Sequence, residues 1–99
     1  MIINMRMKNI EINEDSKKVV HEHSERLSKF FDGRIHITWS FELERSIYVA
    51  HCHMVGNHMD YFGEGRSDDF KVSVDLALEK IERQLKKHKE IVTDHLHRH

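Results

Sequence analysis

The sequence predicts an α+β fold of two layers, β-α-β-β-β-α, in which a four-stranded mixed sheet carries two helices packed on one face. Three observations predict it: an unbroken two-residue alternation from Ile35 to Glu44, an amphipathic run from Asp68 to Glu90, and a helical spacing of apolar residues between two strand-like stretches near the N-terminus. Strands alternate at a period of two and helices at 3.6, so each stretch declares its own geometry.

Ile3, Met5 and Met7 alternate with Asn4, Arg6 and Lys8, which predicts a short first strand with one buried face. Asn13 then offers a side-chain oxygen to cap a helix, and Glu14 and Asp15 favour its positive dipole end. Val20, Leu27, Phe30 and Phe31 recur at helical spacing up to Asp32-Gly33, where Gly33 can adopt the left-handed conformation that ends a helix. Helix one is therefore expected from Glu14 to about Phe31.

Ile35, Ile37, Trp39, Phe41 and Leu43 form the inward face of the second strand. A turn near Arg45 reverses the chain. Tyr48, Ala50, Cys52 and Met54 face inward on a third strand, and Gly56-Asn57 marks the next turn. Met59 to Ser67 reads as the fourth strand, with Tyr61, Gly63 and Gly65 inward and Phe62, Glu64 and Arg66 outward. Inward glycines leave room for a helix to lie close.

The last helix begins at Asp68-Asp69, either of which can cap it, and its inner stripe is Val74, Ala77, Leu78, Ile81, Leu85 and Val92. A crossover through helix one makes the first strand parallel to its partner, and the next three strands form a meander. The other sheet face is left to water.

Composition narrows the functional classes. Ninety-nine residues make one domain, expected over residues 1–94 with a short His-rich tail at 95–99, and no proline, linker or internal repeat divides it. The single Cys52 excludes an internal disulfide, and no apolar run approaches the roughly 18 residues of a membrane span. No signal peptide is apparent at MIINMRMKN, so a soluble cytoplasmic protein is expected.

Charge is distributed unevenly. The net charge is −1, yet Lys80, Arg83, Lys86, Lys87 and Lys89 stand against Glu82 within ten residues of the last helix. Lys80, Arg83 and Lys87 share a face, which suits a polyanion such as RNA. Charged helix faces are also common as solvated surfaces, here with Glu79-Arg83, Glu82-Lys86 and Lys86-Glu90 at ion-pair spacing, so charge alone does not decide.

Other chemistries find less support. His51 and His53 project from one strand face, His21 and His23 point about 200° apart on a helix, and His95, His97 and His99 fall in the tail. No Cys-x-x-Cys or His-Glu-x-x-His spacing accompanies them, so no metal site is expected. Glu42 with Glu44 and Asp68 with Asp69 lack a nucleophile or phosphate-binding loop, which argues against catalysis and against a cofactor. Phe62 and Arg66 form an aromatic-basic pair on the outward sheet face, although one aromatic does not make a stacking platform.

The segments IINMRMKNIEIN, KKVVHEHSERLSKFFDG and especially SDDFKVSVDLALEKIERQLKKHKE resemble the ribosome hibernation promoting factor family, relatives of ribosome-associated inhibitor A. The likeness runs from about Ile3 to about Glu90. It implies a non-enzymatic protein that occupies the mRNA and tRNA channel of the 30S subunit against 16S rRNA, silences 70S ribosomes in stationary phase or stress, and favours 100S dimers while itself monomeric when free. The family's pattern also puts Lys8, Lys17, His23 and Arg26 at usually basic positions, where the helix-one residues would face the basic residues of the last helix across a groove. Ser24 departs from that pattern, standing where an apolar residue is usual, as do Lys71 and both hairpin turns. Short chains with this ending resemble the dimer-promoting type. A duplex-RNA-binding module and a regulator of transcription are the alternatives, separable by binding to naked duplex RNA and by absence from ribosomes.

Overall fold

A computed structural model describes the backbone of residues 1–29 and 34–96 and the side chains of residues 1–28 and 34–87. The elements are β1 (Ile2–Lys8), α1 (Glu14–Ser24), a 3-10 turn (Glu25–Lys29), β2 (His36–Glu44), β3 (Ile47–Gly56), β4 (Met59–Ser67) and α2 (Phe70–Leu96). The sheet order is β1-β2-β3-β4, with β1 parallel to β2 and the other neighbours antiparallel. This is the mixed sheet and element order that the periodicity predicts.

Helix one is shorter than expected. Asn13 caps it, its Oδ1 accepting from the Ser16 amide at 2.8 Å, but α-helical geometry stops at Ser24 and tightens into the 3-10 turn. Ser24 explains part of this ending, because its Oγ donates to the Val20 carbonyl at 2.6 Å and also accepts from the Trp39 indole N–H at 2.9 Å. A serine bonding back one turn competes with the helix ladder. The expected continuation through Phe30 and Phe31 and the Gly33 cap lie outside the described residues.

The core is one cluster. Val20 and Leu27 meet Ile37, Trp39, Phe41, Ala50, Cys52 and Met54 of the sheet and Val74, Ala77, Leu78, Ile81 and Leu85 of α2, all at most 2% exposed. Five of the six positions of the expected α2 stripe are thus buried, and Val92's side chain falls outside the described set. Trp39 stacks on Phe41, which in turn meets Phe70 at the start of α2. Apolar burial on this scale is the main favourable term in folding.

Gly63 and Gly65 set the separation of the layers. A Cβ at Gly65 would lie 2.0 Å from the Ser73 carbonyl oxygen, and one at Gly63 would lie 2.3 Å from that of Ala77. No side chain fits either gap, so α2 rests directly on the β4 backbone. Asp69 caps that helix, accepting from the Lys71 and Val72 amides at 2.9 and 3.3 Å.

The first hairpin turns at Arg45 as expected, and the second turns at Asn57 and His58, one residue beyond the expected Gly56-Asn57. Arg45 and Ser46 both take positive φ, 47° and 68°, in the β2–β3 hairpin, as a two-residue turn matched to strand twist demands. At the next hairpin Gly56 remains in β3 with ordinary φ, and His58 takes the left-handed conformation at 60°.

A candidate nucleic-acid interface on the long helix

The basic residues of α2 sit on a helix held rigidly at its first four turns, so their directions are fixed by its phase. At 100° per residue, Lys80, Arg83 and Lys87 fall within roughly 60° of each other. Arg83 and Lys87 are exposed, and among the described residues neither has an ion-pair partner. Lys86 is exposed beside them. Lys89 lies on the same helix with its side chain outside the described set.

Lys80 leans toward the sheet edge, where its Nζ donates to the Glu64 carbonyl of β4. Gln84 does the same one turn on, its Nε2 donating to the Phe62 carbonyl at 2.9 Å. Side-chain donors thus occupy two outward carbonyls of β4, which blunts an otherwise open edge. Part of the positive charge expected of Lys80 is therefore used structurally.

The α1 side of α2 is acidic. Asp75 and Glu82 lie seven residues apart, within roughly 20° on the helix and about 80–140° around it from Arg83 and Lys87. His23 Nδ1 meets Asp75 Oδ1 at 2.7 Å, and Arg26 reaches Asp75 at 3.5 Å and forms a close pair with Glu82 through Nη2. Sequence spacing alone pairs Glu82 with Lys86 on its own helix; the packing of the 3-10 turn after α1 presents Arg26 to it as well. These cross-helix partners are 49 to 56 residues apart in sequence, so no local pattern signals them.

The expected groove is redrawn accordingly. His23 and Arg26 do face α2, but there they meet Asp75 and Glu82, and Lys17 is paired with Glu14 at 3.3 Å. Lys8 ends β1 in register with Glu42 on the open sheet face, away from both helices. On this face of α2, Arg83 and Lys87 keep their charge without an ion-pair partner among the described residues. Among the described residues, no three His, Cys, Asp or Glu side chains converge to hold a metal.

Cys52 is buried on the core side of β3, and burial pushes its thiol up to about 12. A thiol so far from ionising is a packing group, not a nucleophile. No helix is long and apolar enough to cross a membrane among the described residues.

The model of the family described as sigma 54 modulation protein / S30EA ribosomal protein matches residues 3–93. The chain belongs to that family. Within it, the chain is 29% identical over 97 residues to the ribosome hibernation promoting factor of Klebsiella oxytoca, covering 96% of this chain and 100% of that one. The fold matches the N-terminal domain of Thermus thermophilus Protein Y with a TM-score of 0.83 at 21% identity, covering 89% of this chain and 99% of the other. It also matches a ribosomal subunit interface protein from Coxiella burnetii with a TM-score of 0.80 at 20% identity, covering 91% and 99%. Family membership thus spans the basic face, both helices and the whole sheet.

Proposed function

We propose that this member of the S30EA family binds the 30S ribosomal subunit against 16S rRNA in the mRNA and tRNA channel, stops translation in stationary phase or stress, and favours inactive 100S dimers of 70S ribosomes. The observation that carries the reading is the exposed basic pair Arg83 and Lys87, without an ion-pair partner among the described residues, on a helix clamped to the sheet through Gly63 and Gly65. A fixed positive face suits the phosphate surface of folded RNA, which is recognised by backbone and shape. The name of the Klebsiella oxytoca relative and the full coverage of that chain support the hibernation role.

Contacts of this kind occlude a channel without chemistry. Each phosphate met by a cation releases counterions, so affinity falls steeply with salt and depends little on base sequence. Lys86 and Lys89 extend the face along the helix, while Lys80, Arg26, His23, Lys17 and Lys8 serve as secondary contacts once phosphates compete with their present partners. The free protein is a monomer, and pairing of ribosomes needs a separate small partner.

Sucrose-gradient sedimentation of stationary-phase extract tests the reading. Co-migration with 30S, 70S or 100S peaks is expected, and absence from all three defeats it. Binding to naked duplex RNA as tight as to ribosomes would instead favour a general RNA-binding module.

A further inference from the structure

The face of the sheet away from the helices carries its own organised cluster. Register places Asn4, Thr38, His53 and Phe62 in one row across the four strands, and Arg6, Ser40, His51 and Glu64 in the next. Phe62 is 55% exposed, the largest value among the exposed apolar side chains of the described residues. Its ring lies 5.7 Å from that of His51 and 6.3 Å from that of His53, both tilted to it.

These rings are held in place. His51 Nδ1 pairs with Glu64 at 3.5 Å and His53 Nε2 with Asp60 at 2.5 Å, while the bond from Gln84 fixes the Phe62 backbone from behind. The sequence shows one aromatic on this face, and the structure adds two imidazoles beside it. Ser40 and Thr38 floor the surface with small hydroxyl side chains, and beyond them stands Arg6, which has no ion-pair partner among the described residues. Three strand spacings and one row along the strands separate Phe62 and Arg6 by about 16 Å.

We propose that this face is a second RNA contact, at which an unpaired base stacks on Phe62 beside His51 and His53 and a phosphate farther along the same RNA strand reaches Arg6. Aromatic rings on the open face of a four-stranded sheet backed by two helices are a proven platform for unpaired bases, with hydroxyl groups and a cation completing recognition. Three carboxylates of this face are engaged locally, Asp60 and Glu64 by the two imidazoles and Glu44 by Arg66 at 3.5 Å, while the neighbouring Glu44 holds the Glu42 carboxyl above the usual carboxylate range. Lys8 adds positive charge in the row beyond Arg6, and His36 adds a third imidazole beside Thr38. A protein wedged in an RNA channel through its helices would meet RNA on this opposite side as well, so the inference rests on the ribosomal reading above.

Site-specific photo-crosslinking tests it. p-Benzoylphenylalanine replaces Phe62 in one variant and the exposed Leu76 of α2 in another, and each is irradiated with purified ribosomes. RNA crosslinks from both positions are expected. RNA crosslinks from position 76 with none, or only protein, from position 62 would overturn the sheet contact and leave the helical one standing; no crosslink and no sedimentation from either would remove both. Phe62→Leu, which keeps apolar bulk but loses the ring, should weaken ribosome affinity about fivefold or more with an unchanged salt slope, and Phe62→Tyr should restore it. Equal affinity of Phe62→Leu and parent would also overturn the proposal.

Discussion

Replacing Gly65 with alanine puts the hardest demand on this fold. The new Cβ would stand 2.0 Å from the Ser73 carbonyl oxygen and 2.8 Å from the Ala77 amide nitrogen, both backbone atoms of α2, so no rotamer change relieves the contact. Ordinary contact begins at 3.4 Å, which obliges the helix to retreat by about 1.4 Å. A gap of roughly 0.5–1 Å already forfeits a quarter to a half of a dispersion contact, and the retreat would loosen Val74, Ala77 and Leu78 together. Overpacking typically costs about 1–3 kcal/mol, and the backbone nature of both obstacles places Gly65→Ala at the upper end, about 3 kcal/mol. For a domain of this size that is a fall in melting temperature on the order of 12 °C or more. Thermal unfolding followed by circular dichroism measures it. A Gly65→Ala protein within about 1 kcal/mol of the parent would refute the close seating of α2, and with it the fixed direction of the basic face.

Four further outcomes follow from the same geometry. Ser24→Ala leaves the buried Trp39 N–H without its acceptor and should cost about 1–3 kcal/mol in urea unfolding; a stability gain would contradict the bond. Because burial holds the Cys52 thiol at about 12, iodoacetamide at pH 8 should label it only as the chain unfolds, and rapid labelling of folded protein would contradict that burial. The sign of the linkage is also fixed: an unfolded thiol ionises near 8.5 while the native one does not, so this group's contribution to stability declines as pH rises from there toward 12. Glu82→Gln frees Arg26 from its close partner and should tighten ribosome binding at low salt while lowering stability by less than about 1 kcal/mol; unchanged or weaker binding would show that Arg26 does not contact RNA.

The fold was largely legible because its information is local. Alternation through Ile35–Glu44 and the Val74–Leu85 stripe is written by single-element periodicity, and Gly63 and Gly65 read as a close approach because strand interiors rarely spend two inward positions on glycine. Helix one was less legible, since its end depends on Ser24 finding both the Val20 carbonyl and the distant Trp39 indole. The site divides in the same way. The basic face of α2 follows from helical phase, whereas the pairing of His23 and Arg26 with Asp75 and Glu82 needs distant segments brought together by the core. The placement of Lys8 on the opposite layer is a matter of strand register, and the three-ring cluster at Phe62 requires the β3–β4 pairing to bring His51 and His53 alongside.

The salt dependence of 30S binding tests the central claim most directly. Purified parent and the double variant Arg83→Ala with Lys87→Ala would be titrated onto 30S subunits across a range of salt concentrations. If these two cations neutralise phosphates, log affinity against log salt should become shallower by about one unit per lost contact, about two in all. Affinity at low salt should fall with it. An unchanged slope and affinity would mean that the exposed basic face of α2 is a solvated surface and not the contact to ribosomal RNA.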